Sequence, residues 1–246
     1  MYIHFLGTGS AYPGETRDNT SLNISNNGYH VLVDVSGNPC KKLKQLKIGL
    51  DEVDAVIFTH FHIDHIYGLP SLLWGMWLEH RKESLTIYVD SRNEEKLNEW
   101  LQTMNVKEWG IEFPIHIVTF QGDKTGQILK EKDLEISCFP AIHSVPTIGL
   151  EIRSKDKIIV YSGDSEINAH IQSYNGIDVL IHEATSARTS ARYHSSLEGI
   201  SKAYNMERIG EVVAVHLSDN EPYEEVLATL PRGKFTVAED LMTIKI

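Results

Sequence analysis

The sequence predicts an α/β fold of four layers, an αββα sandwich with two β-sheets face to face and helices outside each. Two observations carry this prediction. Short β-type runs alternate with turn signals along all 246 residues, and in each half strands come first and strands mixed with helices follow. Hydrophobic residues at 41% and charged residues at 23% give a chain able to bury a substantial core, which excludes disorder, collagen-like repeats and coiled coil. No Pro/Gly/Ser-rich linker, internal repeat or low-complexity tract divides the chain, so residues 1–246 are expected to form one domain.

Taken in order, Tyr2–Leu6, Ser21–Ile24 and Tyr29–Val35 read as strands, the last two joined by the hairpin signal Asn26-Asn27-Gly28. Asn38–Leu46 reads as a helix and Ala55–Thr59 as a buried strand. Leu69–His80 is apolar and helical, with Pro70 in the first turn, where a missing N–H costs little. Leu85–Val89 is a strand, Asn93–Met104 a helix and Ile115–Phe120 a strand. In the second half, Leu134–Pro140, Ile148–Arg153, Lys157–Tyr161, Val179–His182 and Glu211–Val215 read as strands, with a turn at Lys155-Asp156. Ile167–Ser173 is a short helix. Leu197, Ile200, Ala203 and Tyr204 fall at helical spacing behind the capping-box pattern Ser195-x-x-Glu198. A helix at Pro222–Leu230 and strands at Phe235–Val237 and Met242–Ile246 close the chain.

With 23 Lys+Arg against 34 Asp+Glu, the net charge is −11, so long-range attraction to phosphate polymers is poor. A local phosphate site built from a metal and a few arginines is not excluded. The two cysteines, Cys40 and Cys138, lie in apolar contexts without metal-ligand or redox spacing, which fits buried thiols in a reducing compartment. The N-terminal run has no basic segment followed by a long apolar one, and no stretch has the length of a membrane span. A soluble cytoplasmic protein is the expectation.

The 12 histidines are unevenly placed. The strand Ala55–Thr59 runs straight into His60-Phe61-His62-Ile63-Asp64-His65, a hydrophilic turn with three imidazoles and a carboxylate. Those are the donors that a borderline metal such as Zn²⁺ takes, while Mn²⁺ or Fe would suit the same shell. One turn rarely closes a coordination sphere, and three further donors follow strands, where a sheet delivers side chains to one rim: His143, Asp164 and His216. His194 precedes the capped helix. Arg188 and Arg192, in the Thr185–Tyr193 loop, are placed to clamp a phosphate or are simply solvated. His4 and His30 fall in or beside strands of the first sheet, His80 ends a helix, His116 and His170 have no partners at ligand spacing, and His182 reads as a buried, hydrogen-bonded side chain. Trp74, Met76 and Trp77 read as helix packing, with an aromatic wall for base stacking as the alternative.

The run Thr59–His65 matches T-H-x-H-x-D-H, and through it the chain resembles the metallo-β-lactamase superfamily nearly end to end. Within that superfamily it is similar to the ribonuclease Z branch, through Phe5-Leu6-Gly7-Thr8-Gly9-Ser10, His65-Ile66-Tyr67-Gly68-Leu69-Pro70, Tyr161-Ser162-Gly163-Asp164, His182-Glu183-Ala184-Thr185, His194-Ser195-Ser196 and His216-Leu217-Ser218. The resemblance implies the metallo-β-lactamase fold and two divalent metal ions. His60, His62 and His143 would hold one ion, Asp64, His65 and His216 the other, and Asp164 would bridge them. It implies hydrolysis by a metal-bridging hydroxide, which Asp64 orients or deprotonates. His194 would protonate the leaving alkoxide, with Glu183 on its other nitrogen. A homodimer is also implied.

One departure bears on substrate. Transfer-RNA-maturing enzymes of this branch carry a long Gly- and Lys-rich arm, in the bacterial forms between the counterparts of His143 and Asp164. Here that interval is only 21 residues (164 less 143), filled by two strands and a turn. No arm fits, and the expected substrate is a small or cyclic phosphodiester. The competing expectations are a ribonuclease Z-type tRNA 3′ endonuclease, a thioester or lactone hydrolase using the same metal chemistry, and a non-enzymatic metal-binding member. The last is disfavoured because every expected ligand is present. A secreted β-lactamase would need a signal segment and a flavodiiron oxidoreductase a further flavin domain.

Overall fold

In the computed structural model, which describes residues 1–246, the first half of the chain builds β1 (Tyr2–Gly7), β2 (Ser21–Asn26), β3 (Tyr29–Val33), β4 (Val53–Ile57), β5 (Leu85–Asp90) and β6 (Ile115–Phe120). Helices α1 (Pro39–Gln45), α2 (Ile63–Ile66), α3 (Leu69–Leu78) and α4 (Glu94–Thr103) lie between these strands. The second half builds β7 (Gly126–Glu131), β8 (Leu134–Pro140), β9 (Ile148–Ser154), β10 (Lys157–Tyr161), β11 (Ile177–Glu183), β12 (Ile209–Val215) and β13 (Phe235–Val237). Its helices are α5 (Ala169–Gln172), α6 (Leu197–Ala203) and α7 (Tyr223–Leu227), and β14 (Thr243–Lys245) returns to pair with β1.

Two seven-stranded sheets result, ordered β14-β1-β2-β3-β4-β5-β6 and β13-β12-β11-β10-β9-β8-β7. Each starts antiparallel and turns parallel, at β3–β4 in the first sheet and β10–β11 in the second. Parallel neighbours need crossovers, and α1, α2–α3 and α4 supply them in one half, α5, α6 and α7 in the other. The tight β2–β3 connection has Asn27 and Gly28 both in the left-handed region (φ 51° and 72°), which is what a two-residue hairpin of right-twisted strands requires.

Strand alternation sorts the apolar side chains. Phe5, Ile24, Val33 and Ile57 meet Ile136, Leu150, Ile159 and Tyr161 between the sheets. Leu32, Val56 and Ile87 point outward beneath Leu43, Leu69, Leu73 and Leu97. Leu180, Val212 and Ala214 point outward beneath Leu197, Ile200, Tyr204 and Val226. The inner parallel strands β4, β11 and β12 are thus largely buried on both faces and read as near-continuous hydrophobic runs. This is the four-layer αββα architecture expected from the sequence.

Several details differ from expectation. Strand β7 was not anticipated: it is an edge strand with mostly exposed or half-buried side chains, so no apolar alternation marks it. The His-rich segment is not an open turn throughout, because Ile63–Ile66 closes a single helical turn that carries Asp64 and His65 inward. Helix α6 is capped by Ser196, whose side chain accepts the Gly199 N–H, and not by Ser195. Ser195 is buried and bonds elsewhere, as described below. Both cysteines are free; Cys138 is buried, whereas Cys40 is only half-buried and donates to the Ser71 carbonyl. No helix is long and apolar enough to cross a membrane.

Candidate metal centre

The parallel strands of both sheets open at one rim, the carboxyl ends, where α/β sheets place ligands. The segment after β4 brings His60, His62, Asp64 and His65, and the segment after β8 brings His143. The turn after β10 brings Asp164, and the residue after β12 is His216. Gly163, before Asp164, is left-handed (φ 59°), and a Cβ there would run into the Ile148 carbonyl oxygen, so the tight turn that aims Asp164 needs glycine. Asp34 and His216 themselves sit at φ 60° and 57°, a sparsely used conformation for residues with side chains.

Two donor sets form. His60, His62 and His143 make one; Asp64, His65, Asp164 and His216 make the other, with all four side chains buried. Asp164 joins them. Its Oδ2 lies 3.2 Å from His216 Nε2, 3.5 Å from His65 Nε2, 3.8 Å from His60 Nε2 and 4.0 Å from His143 Nε2. His62 Nδ1 sits 3.1 Å from both His60 Nε2 and His143 Nε2.

The outer hydrogen bonds fix which ring nitrogen is bare. Asp34, fully buried after β3, accepts from Thr59 N (2.8 Å), Thr59 Oγ1 (2.7 Å) and His65 Nδ1 (2.7 Å). Having donated to Asp34, Thr59 Oγ1 accepts from His60 Nδ1 at 3.0 Å. Thr185 Oγ1 donates to Glu183 Oε2 at 3.0 Å and accepts from His216 Nδ1 at 2.9 Å. His143 Nδ1 donates to the Tyr193 carbonyl at 3.1 Å. Four imidazoles therefore carry their proton on the outward nitrogen and aim a bare Nε2 lone pair inward.

Those lone pairs converge on carboxylate oxygens, and His65 Nε2, His216 Nε2 and Asp164 Oδ1 are buried without any hydrogen-bond partner. Acceptors facing acceptors in a buried pocket are costly unless a cation sits among them. The donor set fits divalent metal: imidazole nitrogen and carboxylate oxygen in two groups sharing one carboxylate. Without a cation, protons must take that place. Burial alone would lower His65, yet the Asp164 and Asp34 carboxylates hold it well above the usual imidazole range. Burial alone would raise Asp164, yet His216 and His65 hold it well below the usual carboxylate range.

A second cluster adjoins the first. Glu183, buried at the end of β11, accepts from His194 Nδ1 (3.1 Å), Ser195 N (2.8 Å) and Thr185 N (3.0 Å). Burial works against protonation of His194, but the bond to Glu183 and that group's charge outweigh it and raise its pKa. With Nδ1 so held, Nε2 faces the pocket, and the side chain is 25% exposed. Ser195 Oγ donates to the Ser165 carbonyl, tying this loop to the Asp164 turn.

The pocket has a volume of about 310 Å³, and Ala11, Ile63, Ser144, Arg192 and Tyr193 line it beside the His/Asp side chains. Arg192 lies over the Tyr193 ring at 4.6 Å. Arg188 does not line it: its guanidinium turns to Glu225 at 2.8 Å, so its expected contact with phosphate is not supported. His182 is buried as expected, between the Glu183 carbonyl and Tyr204 Oη. Met76 packs in the core, while Trp74 stays 43% exposed against Trp77 and Trp109. The sequence did not reveal Asp34 at all, and it gave Thr59 and Thr185 only as parts of motifs, without their hydrogen-bonding roles. The available hint for Asp34 was an acidic residue ending a buried strand run.

Comparison with known proteins agrees with this architecture. The chain is 25% identical to ribonuclease Z of Methanothermobacter thermautotrophicus, covering 100% of this chain and 97% of that one. That alignment extends over 303 positions, so some 57 of them (303 less 246) have no counterpart here. The metallo-β-lactamase fold protein YhfI from Bacillus subtilis superposes with a TM-score of 0.83 at 19% identity, over 99% of both chains. A diphosphatase from the PhnP family superposes with a TM-score of 0.77 at 18% identity, over 100% of this chain and 97% of that one. The family described as "Anti-Pycsar protein Apyc1" matches residues 1–236. The chain belongs to this Apyc1 family, as a ribonuclease Z-like member of the metallo-β-lactamase fold.

Proposed function

We propose that the protein is a dinuclear metal hydrolase that cleaves small or cyclic phosphodiesters. The observation that carries this reading is the pair of donor sets sharing Asp164, set in a pocket of about 310 Å³ beside a His194–Glu183 pair. The pocket lies at the small end of ligand clefts, the size of a mononucleotide rather than a folded RNA. Between His143 and Asp164 the chain forms only the β9–β10 hairpin.

His60, His62 and His143 would hold one cation, Asp64, His65 and His216 the other, and Asp164 both. Divalent ions so held supply a water of lowered pKa and neutralise phosphate charge; Zn²⁺ suits the donors, as do Mn²⁺ and Fe. Asp64 orients the attacking water or accepts its proton. Burial alone would raise its pKa, yet His216 and His65 hold it well below the usual carboxylate range and keep it ionised. His194 Nε2–H protonates the leaving oxygen, and Glu183 fixes the tautomer by holding Nδ1. Arg192 is the one loop arginine at the pocket and is placed to bind a phosphate oxygen.

A homodimer belongs to the same reading. Tyr67, before α3, and Trp74 and Leu78 on it expose 37%, 43% and 55% of their surface, apolar side chains for a second copy to cover.

The test is a side-by-side screen of cyclic nucleotides, bis-nitrophenyl phosphate, precursor tRNA, a thioester and a lactone with zinc- and manganese-loaded protein. Turnover of the small phosphodiesters well above the rest is expected. The second reading, tRNA 3′ processing, is favoured by the ribonuclease Z relative, and efficient cleavage of precursor tRNA would put it first. Cleavage of carbonyl substrates alone would favour the thioester or lactone reading.

A further inference from the structure

The loop that carries Arg192 and His194 is tied to a metal-donor imidazole through one backbone unit. Tyr193 sits in the left-handed region (φ 70°), and both of its peptide groups are taken up inside the protein. Its N–H donates to Glu166 Oε1 at 2.8 Å, and its carbonyl accepts from His143 Nδ1 at 3.1 Å. Glu166 lies two residues beyond Asp164, and its own N–H donates to the Ile142 carbonyl, one residue before His143. Ser165 Oγ accepts the Ile142 N–H, closing a small frame around this connection. Glu166 touches neither donor set and none of the pocket-lining roles assigned above uses it.

We propose that Glu166 is a positioning residue that couples cation loading at His143 to seating of the Arg192–His194 loop. The inference rests on the reading that His143 Nε2 takes a cation. A cation on Nε2 withdraws electrons from the ring and makes the Nδ1–H a stronger donor, so the bond to the Tyr193 carbonyl tightens. A non-glycine residue at φ 70° needs over-determination by its surroundings, and Glu166 supplies it from the N–H side. Loop seating and metal binding then share one coupling free energy, and each must strengthen the other by the same factor. Glutamine can replace glutamate here because the Tyr193 N–H needs only an oxygen acceptor; alanine cannot.

Backbone hydrogen exchange, read at the Tyr193 amide and across residues 186–194, tests this in the apo and zinc-loaded protein, with bound zinc counted separately. In the wild type, zinc should slow exchange of the Tyr193 amide. Glu166→Ala should still bind zinc but weaken it about 10-fold, the lower end for loss of an outer partner, and should lose the zinc-dependent slowing. Glu166→Gln should restore both. Because the loop it seats carries both Arg192 and His194, Glu166→Ala should raise KM and lower kcat for an alkyl phosphodiester, and the loss in kcat should shrink with p-nitrophenolate as leaving group. Equal zinc-dependent slowing in wild type and Glu166→Ala would overturn the coupling. So would stoichiometric zinc in the wild type with no change at Tyr193, a result that needs no variant to fold. If the wild type bound no zinc at all, the metal reading itself would fall, and the proposal with it.

Discussion

Asp34 Oδ2 lies 2.7 Å from His65 Nδ1, and neither side chain reaches solvent. The same oxygen accepts the Thr59 hydroxyl, which in turn accepts from His60 Nδ1, so one carboxylate sets the tautomers of two imidazoles on different donor sets. Asp34→Ala should therefore lower zinc affinity about 10–100-fold, the usual cost of removing such a partner. It also strands the Thr59 and His65 donors in the interior, at roughly 1–3 kcal/mol each. A competitive chelator titration reads the affinity, and thermal unfolding of the apo protein reads the stability. Unchanged zinc affinity in a folded variant would mean that His60 and His65 do not need Asp34 to present their lone pairs.

Asp164 makes a different demand. Its Oδ2 is 3.8 Å from His60 Nε2 and 4.0 Å from His143 Nε2 in the first set, and 3.2 Å from His216 Nε2 in the second. Asp164→Ala should lose metal from both sets together, visible as a fall in metal-to-protein ratio from two toward zero, and activity should vanish with it. Loss of one equivalent alone would show that the two sets do not share this carboxylate.

The contrast between these two aspartates marks what was legible in the sequence. Asp164 follows Tyr161-Ser162-Gly163 at the end of an apolar run, and with His60, His62, His65, His143 and His216 it belongs to a rare residue chemistry repeated at strand ends. Asp34 and Thr59 are ordinary residues at loop starts. Their role depends on β3 and β4 being neighbours, and on a left-handed backbone at Asp34, neither of which local pattern encodes. The fold behaves likewise. Ile115–Phe120, Leu134–Pro140 and Lys157–Tyr161 have the same bounds in sequence and structure because β-branched and aromatic runs end in clear turn signals. Gly126–Glu131 was missed because an edge strand with one buried side chain has no periodicity to detect. The cap of α6 fell one residue late because Ser195 and Ser196 are chemically alike, and only the tertiary bonds of Ser195 to Glu183 and Ser165 separate them.

Against the effect of burial, the bond to Glu183 raises the pKa of His194, so its acid form persists above the pH at which a free imidazole loses its proton. For an alkyl leaving group that needs protonation, turnover should fall as pH rises through this pKa. His194→Ala should keep full metal content, lose that basic limb and cost about 10²–10⁴-fold, the usual worth of a general acid. With p-nitrophenolate as leaving group the loss should shrink, since that anion departs without a proton. Equal losses on both substrates would assign His194 to binding or structure instead.

The two arginines of the Thr185–Tyr193 loop provide the last test, because the structure separates residues that the sequence treated alike. Arg188 is engaged by Glu225 at the surface, where an exposed pair contributes little to stability. Arg192 lines the pocket, its guanidinium over the Tyr193 ring, with its donors available to a phosphate oxygen. A charge-assisted bond of this kind contributes about 1.5–3 kcal/mol, or roughly a 10- to 150-fold change in binding. Arg192→Ala should raise KM for a small phosphodiester by a factor in that range and leave kcat nearly unchanged, the pattern of an interaction made equally in ground and transition states. Arg188→Ala should change neither constant by more than about 2-fold, since surface substitutions away from a site are usually worth within 0.5 kcal/mol. With Arg192 the one arginine lining the pocket, raising salt should weaken the wild type modestly and Arg192→Ala hardly at all, unlike an enzyme that tracks a nucleic-acid backbone. A larger kinetic effect from Arg188 than from Arg192 would mean that the loop rearranges around substrate and that the free pocket misassigns its phosphate contact.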